Sequence, residues 1–262
     1  MLRRLIAAAR GRHAGSRAKP PSWNYDEDGL RTIHDASFTD EPAFQRAYRR
    51  GVDAAAGSDY HWRWRVYIGL WAADCARRLD GDFVECGVNR GFLSSAICAD
   101  LDWDSLGKTF WLLDTFQGGD ERQASEAERR AGWRDRNAEA LKNGFYVSGS
   151  AAVRANFAQW RNVRIVEGSV PQTLAQVDAA KVAFLHLDMN CSAPEVAALE
   201  YFWERLVPGA FVLLDDYAYF GYEESKRGMD AFANRRNVRI VTLPTGQGLL
   251  VRPPRGAAPP RE

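Results

Sequence analysis

Between residues 82 and 252, apolar β-rich runs alternate with helix-patterned stretches, which restricts the chain to βαβ units wound around a largely parallel sheet. Strands are expected at 82–86, 110–114, 163–166, 182–188, 210–215, 238–241 and 248–252. Helices are expected at 93–101, 121–143, 171–177, 194–206 and 223–235. Only residues 242–247 separate the last two strands, so they should form a hairpin that makes the final strand antiparallel. The fold class is therefore α/β, a seven-stranded mostly parallel sheet closed by an antiparallel last strand.

The 262 residues suit one large α/β domain with an attached segment. Residues 21–80 mix charge with aromatics and are expected to form a helical cap over the domain at 81–252. The first 20 residues read as a flexible basic tail, with Arg3, Arg4, Arg10, Arg12, Arg17 and Lys19 and no acid in the first nineteen. Residues 253–262 read as a Pro-rich tail. With 35 basic against 34 acidic side chains, no global field draws the protein to nucleic acid. No apolar run reaches the roughly 18 residues of a membrane span, and residues 5–9 are too short for a secretion signal. Cys75, Cys86, Cys98 and Cys191 form no C-x-x-C pair and sit in apolar stretches, which suits reduced thiols and a cytoplasmic protein. A homo-oligomer is compatible with all of this.

In Asp82-Phe83-Val84-Glu85-Cys86-Gly87-Val88-Asn89-Arg90-Gly91, two glycines four apart follow a strand and precede a helix. Such a loop lets the backbone approach a ligand closely, and the helix start offers free amides. It also suits a tight strand-to-helix turn. Asn89 stands where the dinucleotide fingerprint needs its second glycine, so a pyrophosphate is disfavoured. Asp114, at the end of the next strand, can accept from a ribose diol, with Thr115 and Phe116 following it. A ribose without a pyrophosphate points to S-adenosylmethionine. Glu85, Gly87, Asn89 and Gly91 would then hold its methionine end, and the segment around Ser169 its adenine edge.

Two further strands end in acids, Asp188 in the first and Asp215 with Asp216 in the second. In an open parallel sheet the carboxyl ends of the strands line one crevice, so the three carboxylates should converge there. Helix capping could account for one of them but not for three. Oxygen-only donors select a hard divalent cation such as Mg²⁺. His186 is expected to be a hydrogen-bonded core imidazole, and the four histidines have no zinc spacing.

Taken together, Gly81-Asp82-Phe83-Val84-Glu85-Cys86-Gly87-Val88, Asp114-Thr115-Phe116-Gln117-Gly118, Leu187-Asp188 and Pro208-Gly209-Ala210-Phe211-Val212-Leu213-Leu214-Asp215-Asp216-Tyr217 resemble the macrocin-type O-methyltransferases over roughly residues 60–252. The resemblance implies a class I methyltransferase (Rossmann-like) fold and a metal held by Asp188, Asp215 and Asp216. It also implies methylation of a hydroxyl on a sugar, glycoside or related small-molecule or glycan acceptor. Asp188 is the candidate base as well as a ligand. Family members continue Gly-Asp-Leu/Met-Tyr-Glu-Ser-Thr after the first acid, whereas here Met189-Asn190-Cys191-Ser192-Ala193-Pro194-Glu195 follows. A metal-dependent methyltransferase of phenolic molecules is an alternative, but its lysine base would fall at Cys191. A non-catalytic glycan- or protein-binding module is another, although such a module has no need of three converging acids.

Overall fold

The computed structural model describes residues 22–254. The basic tail at 1–20 and all but the start of the Pro-rich tail lie outside the described residues. Two compact units meet in the chain between residues 36 and 37. The described residues of the first, 22–36, are not helical as was expected of residues 21–80. They contain a hairpin of β1 (Tyr25–Glu27) and β2 (Leu30–Thr32), paired antiparallel with Tyr25 opposite Thr32. The turn is made by Asp28 and Gly29, both with positive φ, the conformation that an Asp-Gly pair adopts most readily in a two-residue hairpin.

The second unit holds everything from residue 37 onward, so residues 37–80 belong to the same compact body as the sheet. Helix α1 (Pro42–Ala54) buries Phe44, Ala47, Tyr48 and Gly51, the spacing of one helical face. It packs with α2 (Arg63–Ala76) against α3 (Phe92–Asp100). Gly51 has no room for a side chain, since a Cβ there would lie 2.5 Å from the Phe92 ring.

The main sheet contains β3 (Asp82–Cys86), β4 (Phe110–Asp114), β5 (Val163–Glu167), β6 (Val182–Leu187), β7 (Leu206–Leu214), β8 (Val241–Thr242) and β9 (Gly248–Val251). Their order is β5-β4-β3-β6-β7-β9-β8. Neighbours from β5 across to β7 are parallel, and β9 is antiparallel to both β7 and β8, as the expected terminal hairpin requires. Every residue of β6 is buried, the signature of a central parallel strand covered on both faces. The winding direction reverses between β3 and β6, and the carboxyl ends of that pair flank the crevice where open α/β sheets bind ligands.

Several boundaries differ from the expectation for local reasons. The helix at 121–143 is two helices, α4 (Glu126–Arg130) and α5 (Trp133–Lys142), because Gly132 turns the chain with φ 83°. At 171–177 only a single 3-10 turn forms, at Leu174–Gln176. A short α6 (Ala151–Phe157) was not anticipated, and α7 (Ser192–Phe202) stops before 206, where β7 already begins. After α8 (Glu223–Arg236), Asn237 takes a left-handed conformation and the Val238 amide closes back on the Ala233 carbonyl. The chain is still turning at 238, which delays β8 to Val241. No described helix is long and apolar enough to cross a membrane.

Candidate active site

The Gly87 amide donates to the Leu113 carbonyl (2.8 Å) while its φ is 93°, and a Cβ at this position would lie 1.8 Å from the Asp188 carbonyl oxygen. The glycine is therefore demanded by the close passage of the loop against the end of β6. Asp114 holds the other side of this loop. Its Oδ2 accepts from the Val88 and Asn89 amides at 2.7 Å each, and its Oδ1 accepts from the Phe116 amide at 2.7 Å. Burial pushes the Asp114 carboxyl up, with these amides pulling the other way. The Asn89 side chain donates to the Phe145 carbonyl (3.0 Å) and accepts from the Val147 amide (2.8 Å), tying residues 145–147 to the loop.

A cavity of about 380 Å³ opens at the carboxyl edge of the sheet. Glu85, Gly87, Asn89, Asp114, Thr115 and Ser169 line it, as do Asp188, Asp215 and Asp216. Gly91 and Phe116 do not. Phe116 is fully buried, and Gly91 begins α3 with positive φ, where a Cβ would meet the Phe157 ring at 2.4 Å. Ser169 donates to Asp120 Oδ2 (2.8 Å) at the wall expected to face an adenine.

Asp188 and Asp215 sit one residue past their strands, and Asp216 two. The Asp188 amide donates to the Cys86 carbonyl and the Asp215 amide to the Leu187 carbonyl, each at 2.9 Å, so the parallel ladder carries both onto the carboxyl edge. His186, Asp188 and Asp215 offer ligand atoms within 4.8 Å of one another; the group takes in the histidine and leaves out Asp216, which was expected there and only lines the same cavity. Burial, then the nearby Asp215 and Asp216 charges, push the Asp188 carboxyl well above the usual carboxylate range. Asp215 is held low despite its burial, because Arg65 pairs with its Oδ2, His186 faces its Oδ1 at 3.7 Å and Gln247 donates to its Oδ1 at 2.9 Å. His186 is buried, with Nδ1 3.0 Å from Glu85 Oε1 and Nε2 3.7 Å from Asp215 Oδ1. Burial alone would lower its pKa, but these two carboxylates push it up to about 10.

Sequence reasoning missed Arg65, Gln247, Tyr219 and Tyr222. Arg65 lies on α2 within the supposed cap, and Gln247 in the terminal hairpin, neither in a recognisable motif. Tyr60, Trp62, Phe145, Tyr146, Tyr219 and Tyr222 also line the cavity. Tyr60 lies tilted against Trp62 (ring centroids 4.5 Å) and meets Phe145 edge-on (5.2 Å). The loop after Asp188 is clasped from outside. Trp133 Nε1 donates to the Asn190 carbonyl (2.7 Å), and the Ser192 amide to Glu128 Oε1 (2.8 Å). Cys191 sits buried beside Glu128, and burial with that carboxylate pushes its thiol up to about 12. It is in no state to act as the base that a phenolic acceptor would need.

This strand order, with a ligand cavity at the carboxyl edge, is the class I methyltransferase fold. Residues 72–243 match the family model described as macrocin O-methyltransferase (TylF), and the chain belongs to that family. It is 31 % identical over 150 residues to the 8-demethyl-8-(2,3-dimethoxy-alpha-L-rhamnosyl)-tetracenomycin-C 4'-O-methyltransferase of Streptomyces olivaceus, covering 53 % of each protein. The chain thus spans about half the length of that relative. It is 26 % identical over 205 residues to the mycinamicin III 3''-O-methyltransferase of Micromonospora griseorubida, covering 70 % of this chain and 75 % of that one. The solved structure of the O-methyltransferase NovP superposes with a TM-score of 0.62 at 21 % identity, over 79 % of this chain and 89 % of that one, and so shares the fold.

Proposed function

We propose that this protein transfers the methyl group of S-adenosylmethionine to a hydroxyl of a sugar, glycoside or related natural product, using a hard divalent cation such as Mg²⁺. The observation that carries this reading is one cavity lined both by the Glu85–Gly87–Asn89 loop with Asp114 and by Asp188, Asp215 and Asp216. Family membership and the sugar-directed names of the two relatives support it. Asp188 and Asp215 bring carboxylates within reach of one ion and Asp216 lines the same cavity, so the donors suit a hard cation, which would offset the burial and the neighbouring acid charges that raise the Asp188 carboxyl.

In this reading Glu85 and the amides near Gly87 bind the methionine end, Asp114 and Thr115 face the ribose, and Ser169 lies at the adenine edge. A bound cation would lower the pKa of an acceptor hydroxyl and orient it, and methyl transfer would need that oxygen in line with the donor's S–CH₃ bond. As the O–CH₃ bond formed and the S–CH₃ bond broke, Asp188 would take the hydroxyl proton and S-adenosylhomocysteine would leave. Burial pushes the phenols of Tyr146 and Tyr222 well up, so both remain protonated and able to donate to the acceptor.

Calorimetry with S-adenosylhomocysteine and NAD tests the cofactor. Micromolar-range binding of the first and none of the second is expected, and tight NAD binding alone would sink the assignment. Asp114→Ala should weaken S-adenosylhomocysteine binding by roughly 1–3 kcal/mol, the cost of leaving buried amides or ribose hydroxyls unpaired. An unchanged affinity would move the ribose contact to another residue. Mass spectrometry of products from a panel of sugars and glycosides tests the acceptor class.

A further inference from the structure

Asp215 is gripped more firmly than a carboxylate waiting only for a cation would be. Arg65 Nη1 donates to Asp215 Oδ2 and also to the Asp215 carbonyl (3.2 Å), and Nη2 reaches the Thr245 carbonyl at 3.5 Å. Its guanidinium carbon stands 4.5 Å from the centre of the Tyr219 ring. Arg65 itself is buried on α2. On the other oxygen, Gln247 donates from Nε2 at 2.9 Å, and its own Oε1 accepts from the Thr245 hydroxyl at 2.9 Å, which fixes the amide's direction. Each Asp215 oxygen thus meets one fixed donor and keeps lone-pair capacity for a further partner.

Charge explains why one of those donors is an arginine. The buried His186–Glu85 pair, 3.0 Å apart, sets one positive group against one negative; the three remaining carboxylates carry three negative charges, and a divalent ion cancels only two. A buried surplus charge is costly. A guanidinium is positive at every accessible pH, and its planar fork matches a carboxylate edge while it stacks on an aromatic face. We propose that Arg65 is a fixed counter-charge of the cation site, a positioning residue that locks Asp215 and trims the Asp188–Asp215–Asp216 cluster to the charge of a single divalent ion. This rests on the cation reading above. Gln247 is the neutral half of the same clamp, orienting Asp215 without changing its charge.

The two halves make different predictions. In Arg65→Gln the cluster regains its third charge while Asp215 loses its anchor, so a cation should bind more tightly and work less well. Mn²⁺ alone is the probe, its free concentration followed by electron paramagnetic resonance. The Mn²⁺ dissociation constant should fall by roughly tenfold, the scale of one unit charge a few ångströms away at a partly screened site. Turnover with the best sugar acceptor should fall at least as much. Arg65→Lys, which keeps the charge and loses the fork, should hold Mn²⁺ affinity near wild type with turnover still reduced. It carries the test alone if Arg65→Gln does not fold. Gln247→Met should likewise leave Mn²⁺ affinity within about twofold. Unchanged or weaker Mn²⁺ binding in Arg65→Gln, or a shifted affinity in Arg65→Lys, would reduce Arg65 to a packing residue. Wild-type protein that binds S-adenosylhomocysteine but no Mn²⁺ would instead overturn the cation reading itself.

Discussion

Asp188→Asn is expected to lower methyl transfer by a factor of about 10²–10⁴, the range over which a positioned general base contributes, with further loss from the weakened cation site. S-adenosylhomocysteine affinity should change by no more than a few-fold. The split follows from where Asp188 stands. It lies beyond β6 among the other acids, whereas the loop from Gly87 to Asn89 is held by Asp114 and by main-chain bonds that the substitution leaves intact. Asparagine keeps the size of the side chain and an oxygen, so the local hydrogen bond to Asn190 (3.2 Å) can be remade. Exhaustive chelation should mimic the variant reversibly, and Mg²⁺ should restore the wild type alone. Product formation with and without chelator is the measurement. Full activity in either condition would return these acids to capping and packing.

Gly87→Ala should cost at least about 3 kcal/mol, combining a left-handed backbone with a collision that only a shift of the main chain can relieve. The added Cβ would stand 1.8 Å from the Asp188 carbonyl oxygen and 2.4 Å from its carbonyl carbon. For a chain of this size that is a fall in Tm of roughly 6–12 °C. Gly144→Ala is the control. Gly144 also has positive φ (77°), but nothing lies within 4 Å of a Cβ there, so only backbone strain of about 1–2 kcal/mol is incurred. Thermal unfolding followed by circular dichroism separates the two. Equal shifts would mean that the loop does not press against the end of β6 as described.

The parts of the fold legible in the sequence were those governed by local pattern. A two-residue alternation or a continuous apolar run marks a strand wherever it occurs, and six of the seven main strands fall close to their expected places. Acids at strand ends are legible for a related reason, because topology alone carries the carboxyl ends of parallel strands to one edge. The first hairpin has its own local mark, the Asp28-Gly29 pair at its turn. Arg65 was not readable at all. Its partner is 150 positions away, and nothing in the pattern of α2 sets it apart from the other arginines nearby. The same holds for Gln247 and for the Glu85–His186 pair, which depends on the register of β3 against β6. Residues whose roles come from long-range side-chain pairing leave no mark in local sequence.

The way Asn89 holds residues 145–147 bears on how readily this protein can diverge. It grips a carbonyl and an amide, not side chains, and any residue other than proline at 147 presents the same amide. The wall over the cavity is hung from its backbone. Phe145 and Tyr146 can therefore be exchanged for residues of other shapes without unfastening the strap or disturbing the glycine loop that carries it. A new acceptor preference is then within reach of one or two substitutions, while the machinery beneath, fixed by strand register and a close backbone crossing, resists drift.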